Sequence, residues 1–180
     1  MWWLLPIFLS LLALPALACP VAEPVSTRAP DLFAALKGAP SERAGRVHED
    51  AIWQLWVTAP DAASQALLDH AFGRLRVADY TGAETALTGL IERCPDYAEG
   101  YNQRAYAKFL QGRFDASLED ILLTLEREPQ HFGALSGRAR ILFQQGRVEP
   151  ARRALDAALA VNPWLRERHL LPLGPIGEEL

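Results

Sequence analysis

An internal repeat with a period of 34 residues constrains this chain more than any other feature of its sequence. When the stretch 93–114 is laid over the stretch 127–148, Arg, Pro, Arg, Ala, Gln, Gly and Arg fall at the same places. Pro95, Pro129 and Pro163 keep the same interval. A fixed period in this range indicates a stack of similar supersecondary units, each of which buries its apolar face against its neighbour.

Each unit is predicted to contain two helices joined by a short turn, which makes the fold all-α. The predicted first helices cover 64–77, 98–111 and 132–145, and the second helices cover 80–93, 114–127 and 148–161. Gly112 and Gly146 end first helices, because the residue just past a helix end often needs a positive φ. Ala71, Ala105 and Ala139 recur where two helices must approach closely, since a larger side chain there would overpack.

The period and the recurring residues resemble those of the tetratricopeptide repeat (TPR) family. At the large, small, Gly, aromatic, small and Pro places of the family pattern, the middle unit has Tyr101, Ala105, Gly112, Phe114, Ser117 and Pro129. The chain departs from the pattern at the seventh place, where the family favours Leu and this sequence has His70, Arg104 and Arg138. The resemblance implies a right-handed α-α superhelix of about three repeats, at 64–97, 98–131 and 132–165.

The segments on either side of the repeats are predicted to be caps and linkers. Residues 31–58 are predicted to form a helical hairpin that caps the stack, with Ser41 as a helix N-cap. Residues 19–30 contain several prolines and no apolar period, and they are predicted to be a flexible tether. Residues 166–180 are predicted to be a C-terminal capping segment and tail.

The first 18 residues are predicted to be a signal peptide. Residues 2–18 carry no charge and end in Ala16-Leu17-Ala18, which predicts cleavage before Cys19. An uncleaved anchor is one alternative, although the stretch is shorter than the roughly 20 apolar residues of a membrane-spanning helix. A lipid on Cys19 is another, because "ALAC" is similar to a bacterial lipoprotein box. The sequence thus predicts an exported protein, periplasmic or envelope-associated, that meets a membrane only through one of these two attachments.

The two cysteines, Cys19 and Cys94, are expected to be unpaired. Cys94 ends a predicted helix and Cys19 begins the predicted mature chain, far away in the sequence. An oxidising compartment would permit a disulfide between them, which stays open as the alternative.

Composition argues against several classes of function. The net charge is −4 and lysine occurs only at Lys37 and Lys108, so no clustered basic surface for nucleic acid is predicted. His48, Glu49 and Asp50 lie on a predicted helix, where consecutive side chains point in different directions, so they are predicted to form a solvated face. No metal-ligand spacing, phosphate loop or convergent nucleophile and base is present, which predicts a non-enzymatic protein without a metal or a cofactor.

The resemblance to TPR proteins implies ligand contacts on the first helices, which line the concave side of such a stack. The corresponding places hold Asp69, Phe72, Glu99, Asn102, Gln103, Tyr106, Phe109, Ser136, Arg140 and Phe143. Of these, Asn102, Gln103, Tyr106 and Arg140 are predicted to form a partner-binding groove, while the three phenylalanines fit helix packing equally well.

The function implied is therefore an exported scaffold that binds a protein or peptide in its concave groove. A structural self-association module of the cell envelope is the alternative. One TPR subclass clamps the carboxylate tail of chaperones with Lys, Asn and Arg, and this clamp is missing here. The matching places hold Leu68, Phe72, Gln103, Gly133 and Gly137.

Overall fold

The computed structural model describes residues 19–170, and within that range the chain is all-α, as predicted. The helices are α1 (Val25–Arg28), α2 (Pro30–Lys37), α3 (Glu42–Trp56), α4 (Ala62–Arg76), α5 (Tyr80–Arg93), α6 (Ala98–Leu110), α7 (Phe114–Arg127), α8 (Phe132–Gln144), α9 (Val148–Val161) and a short 3₁₀ helix (Arg166–Leu170). The predicted signal peptide 1–18 and the tail from residue 171 lie outside the described residues. Among residues 19–170, no helix has the length and apolar character to cross a membrane.

The repeat appears as three successive helix pairs, α4–α5, α6–α7 and α8–α9. The second helices have the predicted bounds, and the first helices begin and end within two residues of the predicted ones. Ala71 and Ala139 are completely buried and Ala105 nearly so. Each of these alanines belongs to the core between the helices of its repeat or the next one, as predicted from the need for close approach.

The turn inside each repeat depends on a residue in the left-handed region. Gly112 has a φ of 73° and Gly146 a φ of 70°, which confirms the role predicted for them. At the same place in the first repeat stands Ala78, with a φ of 58°. A Cβ atom in this conformation costs roughly 1–2 kcal/mol, so the first turn carries strain that the other two avoid.

Replacing Ala78 by glycine should therefore stabilise the protein. We expect the free energy of unfolding to rise by roughly 0.5 kcal/mol, because the relieved backbone strain exceeds the added entropy of glycine in the unfolded chain. Urea denaturation measures the change. The reverse substitution Gly112→Ala is the matched control, since a Cβ there meets no atom within 4 Å and should lose stability through its backbone alone. A lower stability of Ala78→Gly would contradict the proposed backbone strain at Ala78.

The arginine that breaks the family pattern in the middle repeat binds a buried carboxylate. Arg104 donates two hydrogen bonds to Asp120, from Nε at 2.9 Å and from Nη2 at 2.7 Å. Lys108 lies 2.7 Å from the same carboxylate, which is 1% exposed. Hydrogen bonding to Asp120 raises the pKa of Arg104 above its usual value. An ion-pair cluster thus joins α6 to α7 where the family pattern has an apolar contact.

The predicted flexible tether over residues 19–30 is wrong, and so is the expectation of unpaired cysteines. Cys19 forms a disulfide with Cys94, at the end of α5. Further along, Val25 is buried, and the Glu128 carboxylate accepts hydrogen bonds from the backbone N–H groups of Val25 and Ser26. The proline content of this segment reflects its irregular backbone, whereas its order comes from distant partners that local composition does not reveal.

The hairpin predicted at 31–58 forms as α2 and α3, with the Ser41 hydroxyl accepting a hydrogen bond from the Ala44 N–H. It does not cap the open end of the first repeat, however, because the core of that repeat contains no residue of α2 or α3. The apolar side chains of the hairpin pack instead with the third repeat and the C-terminal segment. This core includes Phe33, Leu36, Ile52, Trp56, Phe132, Leu135, Ala158 and Leu165. We call residues 19–61, which carry α1 to α3, the strap.

The C-terminal segment holds the first half of α3 in place. Trp164 lies against Gly45, where a Cβ would stand 2.3 Å from the indole, and its Nε1 donates to the Leu36 carbonyl at 3.1 Å. Arg168 pairs with Glu42 at 2.6 Å. The C-terminal segment, which was predicted to cap the stack, therefore contacts the strap as well. These contacts position α3 along the repeats.

Candidate functional site

A cavity of about 520 Å³ lies between α3 and the first helices of the second and third repeats. All four predicted groove residues, Asn102, Gln103, Tyr106 and Arg140, line it. Phe109 and Ser136, two further predicted groove places, also line it. The opposite side is supplied by α3 and the C-terminal segment, with Arg46, Glu49, Asp50, Trp53, Leu165, Arg166 and Glu167. In the structure, α3 and the C-terminal segment therefore enclose one part of the predicted groove, which becomes a cavity.

Two glycines of α8 determine the shape of this cavity. A Cβ at Gly133 would lie 2.6 Å from the Trp53 ring, so only glycine admits that ring at this place. A Cβ at Gly137 would make only an ordinary contact, 3.6 Å from Ile121, so the missing side chain leaves open space. Gly133 therefore allows α3 to pack closely against α8, and Gly137 leaves the cavity wider beside Arg140.

Arg140 and Tyr106 are two exposed polar residues that the repeats contribute to the cavity, and Asp50 and Arg166 are exposed on the opposite side. Tyr106 is 46% exposed although it lies in the middle of α6. The Arg140 guanidinium lies 5.3 Å from the centre of the Phe109 ring, a cation–π contact that orients it. Among residues 19–170, Arg140 forms no ion pair. Its charge is available to an anionic or carbonyl group of a ligand.

Asn102 and Gln103 hold their amide groups in fixed orientations. Asn102 Nδ2 donates to the Glu99 carboxylate at 3.2 Å, and Gln103 Nε2 donates to the same carboxylate. Their amide oxygens accept no hydrogen bond from the described residues and are not fully buried. These oxygens are suited to accept backbone N–H groups of a bound peptide.

Glu99, which was predicted as a ligand contact, is buried in the structure and this prediction is wrong. Its carboxylate is 1% exposed and lies 2.8 Å from His131 Nε2. His131 Nδ1 accepts a hydrogen bond from the Ala134 N–H, which assigns the ring proton of the neutral imidazole to Nε2, facing Glu99. The strap covers this pair, so Glu99 orients Asn102 and Gln103 instead of meeting solvent.

The other predicted groove residues lie away from the cavity. Asp69 on α4 accepts a hydrogen bond from Gln65, and Phe72 packs in the core of the first repeat. Phe143 packs between α8 and α9. The packing interpretation therefore holds for Phe72 and Phe143, while Phe109 takes part in the cavity.

Helix α3, which forms one side of the cavity, was not predicted to be part of the site. The sequence predicts that His48, Glu49 and Asp50 point in different directions, yet Glu49 and Asp50 both line the cavity. Glu49 pairs with Arg46 at 3.2 Å and accepts a hydrogen bond from Asn162, which fixes it to the third repeat. The signal that could have placed α3 here is its pair of large aromatic residues, Trp53 and Trp56, one turn apart on an amphipathic helix.

No family model matches this chain. Over 69 residues it is 44% identical to a TPR repeat-containing protein of Rhizobium etli, which covers 38% of this chain and 34% of that protein. The chain thus spans about a third of the length of that relative.

Solved structures of TPR domains have the same architecture. The TPR2B domain of yeast Sti1, in a complex with pHsp70, superposes with a TM-score of 0.58 at 21% identity, covering 62% of this chain and 91% of that one. The TPR2AB domain of yeast Sti1, in a complex with pHSP90, gives 0.57 at 23% identity, covering 71% and 50%. This chain has the TPR fold. The likeness confirms the right-handed α-α superhelix predicted from the repeat.

Proposed function

We propose that this chain is a TPR-family scaffold that binds a protein or peptide in the cavity between α3, α6 and α8. One observation supports this function above the others: Asn102, Gln103, Tyr106 and Arg140, from two repeats, line a single cavity, and the Arg140 guanidinium pairs with no carboxylate of residues 19–170. A volume of about 520 Å³ lies within the roughly 300–1,000 Å³ of typical ligand sites.

The chemistry of the cavity favours a short peptide segment with a carboxylate or an exposed carbonyl. Arg140 can bind a carboxylate in a bidentate manner or donate a hydrogen bond to a carbonyl, and Tyr106 offers an aromatic ring and a hydroxyl. The amide oxygens of Asn102 and Gln103 would accept backbone N–H groups. The yeast Sti1 domains that share this fold are in complexes with pHsp70 and pHSP90, which supports a protein or peptide as the class of ligand. In this chain, however, Trp53 packs against Gly133 and occupies part of the concave side. We therefore propose a ligand peptide different from those of the Sti1 domains.

We further propose that the protein is not an enzyme. Among residues 19–170, one cluster has the composition of a metal site, Cys19, Asp61 and Cys94, and both of its sulfurs are joined in the disulfide. The cavity holds guanidinium, carboxylate and amide groups without a nucleophile paired to a base. Such a set binds ligands without supplying a route for a covalent step.

Export is also a proposal, supported by the disulfide. Disulfides persist in oxidising compartments such as the bacterial periplasm. The bond also discriminates between the alternatives for Cys19, because a sulfur joined to Cys94 has no valence left for a lipid thioether. We propose a chain cleaved before Cys19 and free of lipid. Intact-mass measurement before and after reduction tests this, since an added diacylglycerol mass or a retained Met1 would contradict it.

Titration calorimetry with variants of the cavity tests the binding proposal. A partner would first be isolated with a tagged chain from the envelope fraction. We expect Tyr106→Ala and Arg140→Ala each to weaken its binding by at least about fivefold, roughly 1 kcal/mol, because interface energy concentrates in central Tyr and Arg residues. Circular dichroism should show unchanged folding.

The control for Arg140 is Arg138→Ala, which removes an exposed arginine of the same helix that does not line the cavity. Its affinity should equal that of the wild type. Wild-type affinity in both cavity variants would move the binding site elsewhere. If no partner is captured and light scattering shows a molar mass that rises with protein concentration, self-association would be favoured instead.

A further inference from the structure

The two ends of the strap meet at one point on the first repeat, and a disulfide closes the covalent loop that contains it. At one end, the disulfide joins Cys19 to Cys94. At the other end, Asp61 begins α4, and its carboxylate lies within 4.8 Å of both sulfurs. Ser64 Oγ, one turn into α4, lies 2.9 Å from Cys94 Sγ. The strap therefore leaves the first repeat and returns to it at the same place.

Between these ends, α3 packs on the second and third repeats in the manner of a bound helical ligand. Trp56 stacks on His131 with ring centres 3.8 Å apart and an interplanar angle of 10°. Trp53, one turn earlier, occupies the space that any side chain at position 133 would need. Two aromatic anchors on one face of an amphipathic helix are typical of helix-in-groove recognition.

The surface beneath α3 is built to receive such a helix. Glu128 is 1% exposed and forms no ion pair with any residue between 19 and 170. Among residues 19–170, the donors to its carboxylate all come from the strap: the N–H groups of Val25 and Ser26, the Ser26 hydroxyl and the Trp56 indole. A buried carboxylate without donors is costly. The surface therefore requires an occupant that brings N–H donors as well as aromatic rings.

We propose that this surface is a second binding site, for an amphipathic helix of a partner protein that carries two aromatic residues three positions apart, and that the strap is its resident occupant while the disulfide is closed. The inference rests on the proposed function in one respect, that partners bind on the side formed by the first helices. With both ends fixed, α3 stays at a high effective concentration over its site. With the disulfide open, residues 57–61 are the one covalent link between α3 and the repeats, and only non-covalent contacts, including those with Trp164, Arg168 and Asn162, oppose its displacement.

Opening is a thiol–disulfide exchange with a dithiol reductant. A thiolate of the reductant attacks Cys19, the less buried of the two sulfurs, and Cys94 leaves as a thiolate that takes up a proton. The second thiol of the reductant then closes its own disulfide and releases Cys19 as a thiol. Two electrons and two protons pass to the protein, and the reductant becomes a disulfide.

A peptide with the sequence of residues 42–57 serves as the probe for the exposed surface. Two full-length chains are compared, Trp56→Ala with the disulfide intact and Trp56→Ala with Cys19→Ser, so that both carry the same weakened resident helix. We expect the labelled peptide to bind the open chain at least ten times more tightly in fluorescence anisotropy. A peptide with Trp53→Ala and Trp56→Ala should bind neither. Equal binding to both chains, or none to the open chain, would overturn the proposal.

Hydrogen exchange of the wild-type chain gives an independent readout that does not depend on the variants folding. Reduction with a dithiol should accelerate exchange of the α3 amides at least tenfold and leave α6 and α8 protected. An unchanged exchange rate of the α3 amides would overturn the proposal that the disulfide keeps α3 on its site. A dimer that forms on reduction would also overturn it, because the occupant of the surface would then be a second copy and not a partner protein. Neither experiment alters Tyr106 or Arg140, so failure of the cavity as a peptide site would be seen separately.

Discussion

Removing the disulfide by replacing Cys19 and Cys94 together with alanine should lower the free energy of unfolding by roughly 4 kcal/mol. The bond closes a loop with a sequence separation of 75 residues, and the chain-entropy model gives about this value for such a loop. The strap also contacts Glu128, His131 and Phe132 without the bond taking part, so we expect the reduced chain to stay folded and most of the effect to arise in the unfolded chain.

Chemical denaturation of the oxidised wild type, the reduced wild type and the double variant measures this effect. The last two should unfold at the same denaturant concentration, well below the first. Circular dichroism should show the same helix content in all three before unfolding. Identical midpoints for oxidised and reduced wild type would mean that the disulfide does not form in the folded protein.

The second large effect is expected for Asp120→Ala, which should destabilise the protein by roughly 3–5 kcal/mol. Asp120 is buried and neutralises both Arg104 and Lys108, whose side chains are 17% and 11% exposed. Removing the carboxylate leaves two cations, largely withdrawn from water, without a partner. Urea denaturation measures the loss.

A more exposed ion pair of the same stack provides the control. Glu84 pairs with Arg113, whose side chain is 49% exposed, so Glu84→Ala should cost less than about 1 kcal/mol. Adding Arg104→Leu to Asp120→Ala should recover part of the stability, because it restores the apolar residue that TPR proteins favour at this place and removes one unpaired charge. A loss in Asp120→Ala no larger than that in Glu84→Ala would refute the buried cluster.

The helices of the repeat were predictable because their determinants are local and recur. Gly112 and Gly146 mark positive-φ turns, and the prolines after the second helices mark the next unit. The strained turn at Ala78 shows that the pattern persists even where the residue fits the backbone poorly. Local signals that recur in phase reinforce one another, so the bounds of six helices followed from them.

The path of the strap was not predictable in this way, since its contacts are tertiary and out of phase with the repeat. Nothing near Cys19 in the sequence indicates that the chain returns to Cys94, and nothing near Val25 indicates Glu128. The same limit applies to the candidate site. The groove places identified Tyr106 and Arg140, but whether Glu99 meets solvent depends on a helix that lies far away in the sequence.

Site-specific photo-crosslinking in cells that express the protein tests most directly whether the cavity is where a partner binds. A photoreactive amino acid would replace Tyr106 in the cavity or Leu122 on α7, two apolar or aromatic residues of similar exposure, 46% and 49%. The cavity site predicts a discrete adduct at position 106 that weakens when Arg140→Ala is added, and none at position 122. An adduct at 122 with none at 106 would contradict the assignment and place binding on the side formed by the second helices.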